Sequence, residues 1–317
     1  RFGGVLVLRI EDTDRARSNP AMTRQIQDAL GWLGVKWDEG PFMQSDNVAA
    51  HLKRAHELVE ADLAYPCFLT SEELERKRGE AKERGESALY DLSAHLTREE
   101  IERRLARRAS HTIRFRMPRE NTVFQDLIRG DMNVPPDALE DFIIVRSDGT
   151  PTYHLSVVCD DIDMGITHVV RGEDHLSNTP KHIRLFEALG AEIPTFAHLP
   201  LMLGTDKKRL SKRTGSTSVE DFRDKGILPE ALFNYLALLS WSPDDEREIL
   251  SLEEMVPLFS LDDIGGSAAV FDPEKLSWVN AQYMSGMPNR DILHHLHPFL
   301  TAAGLGDADE ERLEAAV

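Results

Sequence analysis

Thr167-His168-Val169-Val170-Arg171-Gly172-Glu173-Asp174-His175-Leu176-Ser177-Asn178-Thr179-Pro180 reads as an apolar strand, Thr167–Arg171, running directly into a helix. Asn178-Thr179-Pro180 is a helix start, because Asn and Thr cap free N–H groups and Pro suits the first turn. The helix ends near Gly190. Outward from here the same order recurs. Val5–Ile10 is a strand of buried type and Met22–Leu33 has helical apolar spacing. Further helices are predicted over Val48–Asp62, Ser71–Glu86 and Arg98–Arg108, the last opened by a capping box of Thr97 and Glu100. Strand signals lie at His111–Met117, Phe142–Arg146 and Thr195–Met202. An apolar run, Tyr153–Val158, follows the turn Ser147-Asp148-Gly149-Thr150. From Ser218 the pattern is nearly all helical: Pro229–Leu239, Leu252–Phe259, Pro273–Tyr283 and Asp291–Ala303. Strands alternating with helices predict an α/β fold with a parallel sheet, whose ligands bind beyond the carboxyl ends of the strands.

The 317 residues are enough for two domains and a sizeable core, at 41% hydrophobic and 29% charged. No apolar run approaches the ~20 residues of a membrane span. Two distant cysteines, Cys67 and Cys159, exclude a disulfide scaffold and a four-cysteine zinc site, and point to a reducing cytoplasm. The net charge of −18 opposes sequence-independent nucleic-acid binding but leaves room for a local basic face. Both ends read as cut: residue 1 is Arg, and Asp309–Val317 looks like a helix without its C-cap.

Three stretches could carry chemistry. In Arg9-Ile10-Glu11-Asp12-Thr13-Asp14, Arg9 and Glu11 share a strand face, and a carboxylate there could take an ammonium group. A solvated acidic turn is the better reading of this stretch alone. In Arg171–Thr179, Arg171 can grip a carboxylate bidentately beside a helix N-terminus; simple capping explains the segment about as well. Lys207-Lys208-Arg209-Leu210-Ser211-Lys212-Arg213-Thr214-Gly215 has five cations in seven residues, which suits phosphate, although a solvated basic loop is the commoner case. A fourth feature, Arg103, Arg104, Arg107 and Arg108, predicts a basic stripe along one helix side, or equally a solvated face.

Arg-Leu-Ser-Lys-Arg at 209–213 resembles the mobile Lys-Met-Ser-Lys-Ser loop of class I aminoacyl-tRNA synthetases. Together with Arg9–Asp14, Trp37-Asp38-Glu39-Gly40-Pro41, Asp148–His154, Arg171–Thr179 and Phe271–Leu276 with Trp278 and Asn280, it resembles glutamyl-tRNA synthetase along nearly the whole chain. The resemblance implies a Rossmann-like parallel-sheet catalytic domain with an α+β insertion, followed by a helical stem-contact domain. Its segments would be 1–60 and 141–215 for the catalytic domain, 61–140 for an acceptor-stem-binding insertion and 216–317 for the helical domain. It implies ligation of L-glutamate to tRNA(Glu) through glutamyl-adenylate, with ATP and substrate-bound Mg2+, in a cytoplasmic monomer without a membrane partner.

By the same resemblance Glu11, Tyr153 and Arg171 would bind glutamate. Asp174, His175, Leu210 and Lys212 would line ATP, with Lys212, Ser211 and Arg209 acting in catalysis. The basic residues Arg103, Arg104, Arg107 and Arg108 would meet tRNA. Cys67 stands without a Cys/His cluster, so no zinc or other metal site is expected. The sequence departs from the family in several places. The His-Ile-Gly-His-type ATP motif and the anticodon-binding domain are not present, so this stretch alone is expected to be inactive. Arg209 stands where Lys is usual, Val157 where some relatives have Asn, and Phe42-Met43-Gln44-Ser45 replaces a Tyr-containing version. Two further readings are a glutamyl-queuosine tRNA(Asp) synthetase paralogue and a non-catalytic RNA-binding or scaffold domain.

Overall fold

The computed structural model describes residues 3–13, 19–86, 89–210, 218–243 and 246–305. It divides into two compact units. One comprises Leu6–Thr23 with Trp37–His198, and the other Arg1–Val5, Arg24–Lys36 and Leu199–Val317.

Strand β1 (Val7–Ile10) leads through helix α1 (Pro20–Trp32) to strand β2 (Glu39–Met43), which lies parallel to β1 with Ile10 opposite Met43. Gly40 permits the close approach: its φ is +100° and a Cβ there would meet the Leu8 carbonyl oxygen at 2.4 Å. The expectation of a buried first strand is corrected here. Only Ile10 is buried, while Val5, Leu6 and Val7 are exposed, because among the described residues β1 pairs with β2 alone.

Helix α2 (Val48–Glu60) buries His51, Ala55 and Leu58 on one face. Strand β3 (Ala64–Cys67) precedes α3 (Ser71–Glu83) and α4 (Arg98–Ala106), both opened by capping boxes, Thr70 with Glu73 and Thr97 with Glu100. α4 stops at Ala106, short of the predicted Arg108. Arg108 is left-handed (φ 55°), its N–H bonds the Leu105 carbonyl and that of Ala109 bonds Arg104, so the helix closes in a Schellman turn. Strand β4 (Thr112–Phe115) is followed by a hairpin of β5 (Thr122–Asp126) and β6 (Gly130–Val134), which the sequence pattern does not mark, and then by β7 (Phe142–Val145). Strands β3, β4 and β7 form an antiparallel sheet.

The run at Tyr153 is a helix, α5 (Tyr153–Asp163), buried from Leu155 to Asp161. Strand β8 (His168–Gly172), helix α6 (Thr179–Ala188) and strand β9 (Thr195–Leu199) follow. The sheet order is β6-β5-β9-β8, with β5 and β9 parallel at Asp126 and Phe196. Leu58, Phe115, Ile144, Leu155, Val158 and Leu185 centre the core of this unit. The predicted strand Thr195–Met202 is broken at Pro200, which has no N–H to donate; β9 ends at Leu199 and β10 (Met202–Leu203) starts beyond it.

In the second unit β10 pairs in parallel with β11 (Ala269–Val270). Helices α7 (Val219–Asp224), α8 (Pro229–Ala237), α9 (Leu252–Leu258), α10 (Pro273–Ser285) and α11 (Asn289–Ala302) make up most of the rest. Leu228, Leu232, Tyr235, Phe271, Leu276 and Val279 form the core, with Trp32 and Leu33 of the α1 segment against it. Buried amides tie its loops: Asn280 Oδ1 accepts from the Leu228 N–H and Asn234 Oδ1 from the Leu250 N–H, both at 2.8 Å. Asp309–Val317 lies outside the described residues.

Candidate functional site

β8 delivers Arg171 to the strand end, and a short 3-10 segment, Glu173–Asn178, turns the chain into α6. The Arg171 side chain is half-buried. Its Nε–H donates to His198 Nε2 at 3.1 Å and its Nη2 to Thr179 Oγ1 at 2.9 Å. The remaining contacts are long: Nη1 to His182 Nδ1 at 3.3 Å and to Tyr153 Oη at 3.5 Å, and Nη2 to the His175 carbonyl at 3.4 Å. None of these partners is a carboxylate. Burial pushes the guanidinium down from its ordinary value, opposed by Tyr153, Asp161 and Glu11, yet an arginine stays charged under such conditions. A half-buried cation with only neutral contacts has electrostatic room for an anion.

Tyr153 opens α5, and its ring lies against His175, His154 and His182, with centroids 5.6, 5.7 and 5.7 Å away. Burial raises its phenol. Arginine has only donors, so His182 Nδ1 is an acceptor; His182 Nε2 then carries the proton and donates to His154 Nδ1 at 3.1 Å. Both rings are neutral: burial, with Lys181 and Arg171 nearby, pushes His154 down to about 4, and burial beside Arg171 also holds His182 well below its ordinary value.

An acidic group of the same unit lies at the end of β1. Arg9 Nη2 pairs with Asp161 at 2.8 Å and with Glu11 at 3.2 Å. Asp161 is nearly buried, and burial lifts its carboxyl above the ordinary value despite Arg9. Glu11 keeps 41% of its side chain exposed and is the acid of the group open to solvent. Asp12 accepts from both the N–H (2.8 Å) and Oγ (2.6 Å) of Ser45. Gln44, Asn47 and His51 converge on buried Asp160 at 2.8, 3.1 and 2.7 Å, which gives the Phe42–Ser45 stretch an anchoring role in the fold.

Glu11, Tyr153 and Arg171 thus belong to one unit, and the charge of Glu11 is felt at both of the others. His175 joins them through Tyr153 (3.4 Å) and Asn178 (3.3 Å). Asp174 lies on the 3-10 segment, its Oδ1 so near Gly172 that a Cβ there would meet it at 2.7 Å. Arg209 and Leu210 are in the other unit, where Arg209 bridges to Leu203 and the Leu210 N–H bonds the Met202 carbonyl at 3.1 Å. Ser211 and Lys212 lie outside the described residues. Arg103, Arg104, Arg107 and Arg108 are all exposed, with Arg104 5.4 Å from the centroid of the Phe68 ring. Only Arg103 and Arg104 are within α4, so the predicted stripe is two helical residues followed by a turn. Sequence reading missed Asp126, Asp161, Thr179, His182 and His198. Of these, Thr179 stands in the Arg171–Thr179 stretch but reads there only as part of the helix start, and His182 is a polar residue on the buried face of α6; the other three left no local signal. Among the described residues no group of three or more His, Cys, Asp or Glu side chains is arranged to hold a metal, and no helix is long and apolar enough to cross a membrane.

The family model described as tRNA synthetases class I (E and Q), catalytic domain, matches residues 1–278. The chain belongs to this family. Among curated relatives, glutamate–tRNA ligase 1 of Syntrophus aciditrophicus is 48% identical over 309 residues, covering 97% of the chain and 64% of the relative. Glutamate–tRNA ligase of Aquifex aeolicus is 48% identical over 315 residues, covering 98% and 66%. The chain spans about two thirds of the length of these relatives. A crystal structure of a glutamate tRNA ligase from Elizabethkingia meningosepticum, in complex with its amino acid, superposes with a TM-score of 0.87 at 35% identity, covering 98% of this chain and 69% of that one. The mixed α/β architecture is thus the Rossmann-like fold of the class I synthetases, and the cluster of histidines around Arg171 lies wholly within the matched catalytic domain.

Proposed function

We propose that the protein carrying this chain ligates L-glutamate to tRNA(Glu). Glutamate and ATP, with its magnesium, form glutamyl-adenylate and pyrophosphate, and a hydroxyl of the tRNA 3′-terminal ribose then takes the acyl group and releases AMP. The observation that carries this reading is Arg171: a half-buried fork with no carboxylate partner, in one unit with the exposed acid Glu11. A ligand with a side-chain carboxylate and an ammonium group complements both. Arg171 and Tyr153 hold the carboxylate and Glu11 the ammonium. Asp174, His175 and Leu210 line the ATP side. Lys212, with Ser211 and Arg209, neutralises charge building on the leaving pyrophosphate, a task that needs positioning more than a base. The insertion at 61–140, with Arg103, Arg104, Arg107 and Arg108, contacts the acceptor stem, and 216–317 serves as the stem-contact domain. The protein works in the cytoplasm as a monomer.

ATP–pyrophosphate exchange by the full-length protein, with tRNA present, tests this. Exchange should require glutamate and fail with glutamine or aspartate. Equal exchange with glutamine, or none with glutamate, would reject the assignment.

A further inference from the structure

Arg171 is held from behind by a buried relay. His198 Nε2 receives the Arg171 Nε–H at 3.1 Å and lies 3.0 Å from the Thr179 hydroxyl, which also accepts from Arg171 Nη2 at 2.9 Å. Since arginine cannot accept, this imidazole nitrogen must present its lone pair. The proton therefore resides on His198 Nδ1, which donates to Asp126 Oδ2 at 2.5 Å. Both side chains are fully buried, at 0% exposure each. Asp126 Oδ1 is taken by three backbone N–H groups, those of Ile128 (3.0 Å), Arg129 (2.9 Å) and His198 (3.2 Å). Burial disfavours a charged Asp126, but the bonds from His198, Arg129 and Ile128 outweigh it and hold the carboxyl below its usual range. Burial also keeps the His198 imidazole neutral against the pull of Asp126.

We propose that His198 and Asp126 are positioning residues: Asp126 fixes the imidazole tautomer, and the imidazole lone pair aims the Arg171 fork at the substrate carboxylate. The inference rests on the glutamate reading of the Arg171 site. Two short bonds, to His198 and Thr179, anchor one edge of the guanidinium. The three long contacts, of 3.3–3.5 Å, leave the other edge available to a carboxylate. The reverse tautomer would set an imidazole N–H against the Arg171 Nε–H, donor facing donor, and turn the fork away.

Asp126→Asn tests the tautomer with almost no change of shape. The three backbone donors require the amide oxygen at the Oδ1 position, so the amide nitrogen must face His198 Nδ1 and donate to it. The imidazole proton is then driven to Nε2. His198→Leu removes the acceptor, while His198→Gln can return a carbonyl oxygen near the Nε2 position. In the full-length protein Asp126→Asn and His198→Leu should raise the glutamate KM about tenfold or more, with the ATP KM unchanged and kcat changed less. His198→Gln should recover much of the loss. A merely structural role would lower stability and active fraction and leave the glutamate KM alone. Nitrogen NMR of 15N-histidine protein, with His198 assigned by its loss in His198→Gln, needs no substrate. It should show a protonated Nδ1 in the unaltered protein and a protonated Nε2 after Asp126→Asn. A protonated Nε2 in the unaltered protein overturns the proposal, as does an unchanged glutamate KM in His198→Leu. If Asp126→Asn does not fold, the His198→Leu and His198→Gln pair decides. Absence of glutamate-dependent exchange in the unaltered protein rejects the glutamate reading instead, and the spectrum then decides the tautomer alone.

Discussion

The roles proposed for Arg171 and Lys212 differ in when each would act, and that difference is measurable. The proposed function gives Arg171 a ground-state role, with its fork held in place by His198 and Thr179. Arg171→Lys keeps the charge but loses the planar fork that His198 and Thr179 anchor, so the glutamate KM should rise about ten- to a hundredfold. Unchanged glutamate kinetics would remove Arg171 from the site. In the sequence Lys212 stands between Gly204 and Gly215 in a basic stretch, and in the proposed role its attraction to the phosphates would grow as charge shifts to the leaving group. Lys212→Ala should therefore slow single-turnover adenylate formation by about 10²–10³ with little change in ATP affinity. Lys207→Ala should do much less. A rise in the ATP Kd alone would make Lys212 a ground-state binder. At this scale the strand-end arginine, the tyrosine and the acid were legible, because each stands in a short contiguous motif. Asp126 and His198 were not, since 72 residues separate them and neither has a local pattern around it.

Among the elements, those set by nearest-neighbour chemistry were read well. The capping box at Thr97 and Glu100 and the amphipathic α2 needed no tertiary information. The hairpin β5–β6 escaped because Thr122–Asp126 and Gly130–Val134 are short and mix polar with apolar residues, with no long alternating run to mark them. Where α4 stops matters for the proposed tRNA contact. Arg103 and Arg104 are in the last turn of α4, whereas Arg107 is its C-cap and Arg108 lies beyond it, so the four do not form one helical stripe. Replacing all four by Ala should weaken tRNA binding and flatten its salt dependence by roughly 0.7–0.9 in log–log slope for each phosphate no longer neutralised. An unaltered slope would leave them as a solvated surface. Gly40 makes a second test at this scale. Gly40→Ala places a methyl against the Leu8 carbonyl at a positive φ, so it should disturb β1–β2 pairing and cost about 1–3 kcal/mol or more by chemical denaturation. A loss below a few tenths would mean that the strands can part without penalty.

For the molecule as a whole, a net charge of −18 suggests that acid should relieve repulsion, but the buried histidines act the other way. In the unfolded chain His154 takes a proton near pH 6.5, whereas in the fold it resists until about 4. Between those values the unfolded state binds more protons, so stability falls as the pH drops through that window, by up to about 1.4 kcal/mol per pH unit for each such histidine. His182 and His198 are depressed in the same direction. Urea midpoints at pH 7, 6 and 5 should decline steadily, and His154→Gln should flatten the decline. A midpoint that held until the carboxylate range would show that the imidazoles do not govern acid stability. The two thiols have a different use. Cys67 in β3 and Cys159 in α5 are 2% and 0% exposed, burial holds Cys159 up at about 11, and the chain has no other cysteine. Both are in the unit that carries Arg171. A bulky alkylating reagent can reach them only when that unit opens, so the rate of mass gain is a stopwatch for its breathing and is silent about the helical unit. Glutamate at a hundred times its Kd should slow that clock about a hundredfold, reporting occupancy of the pocket without ATP, tRNA or turnover.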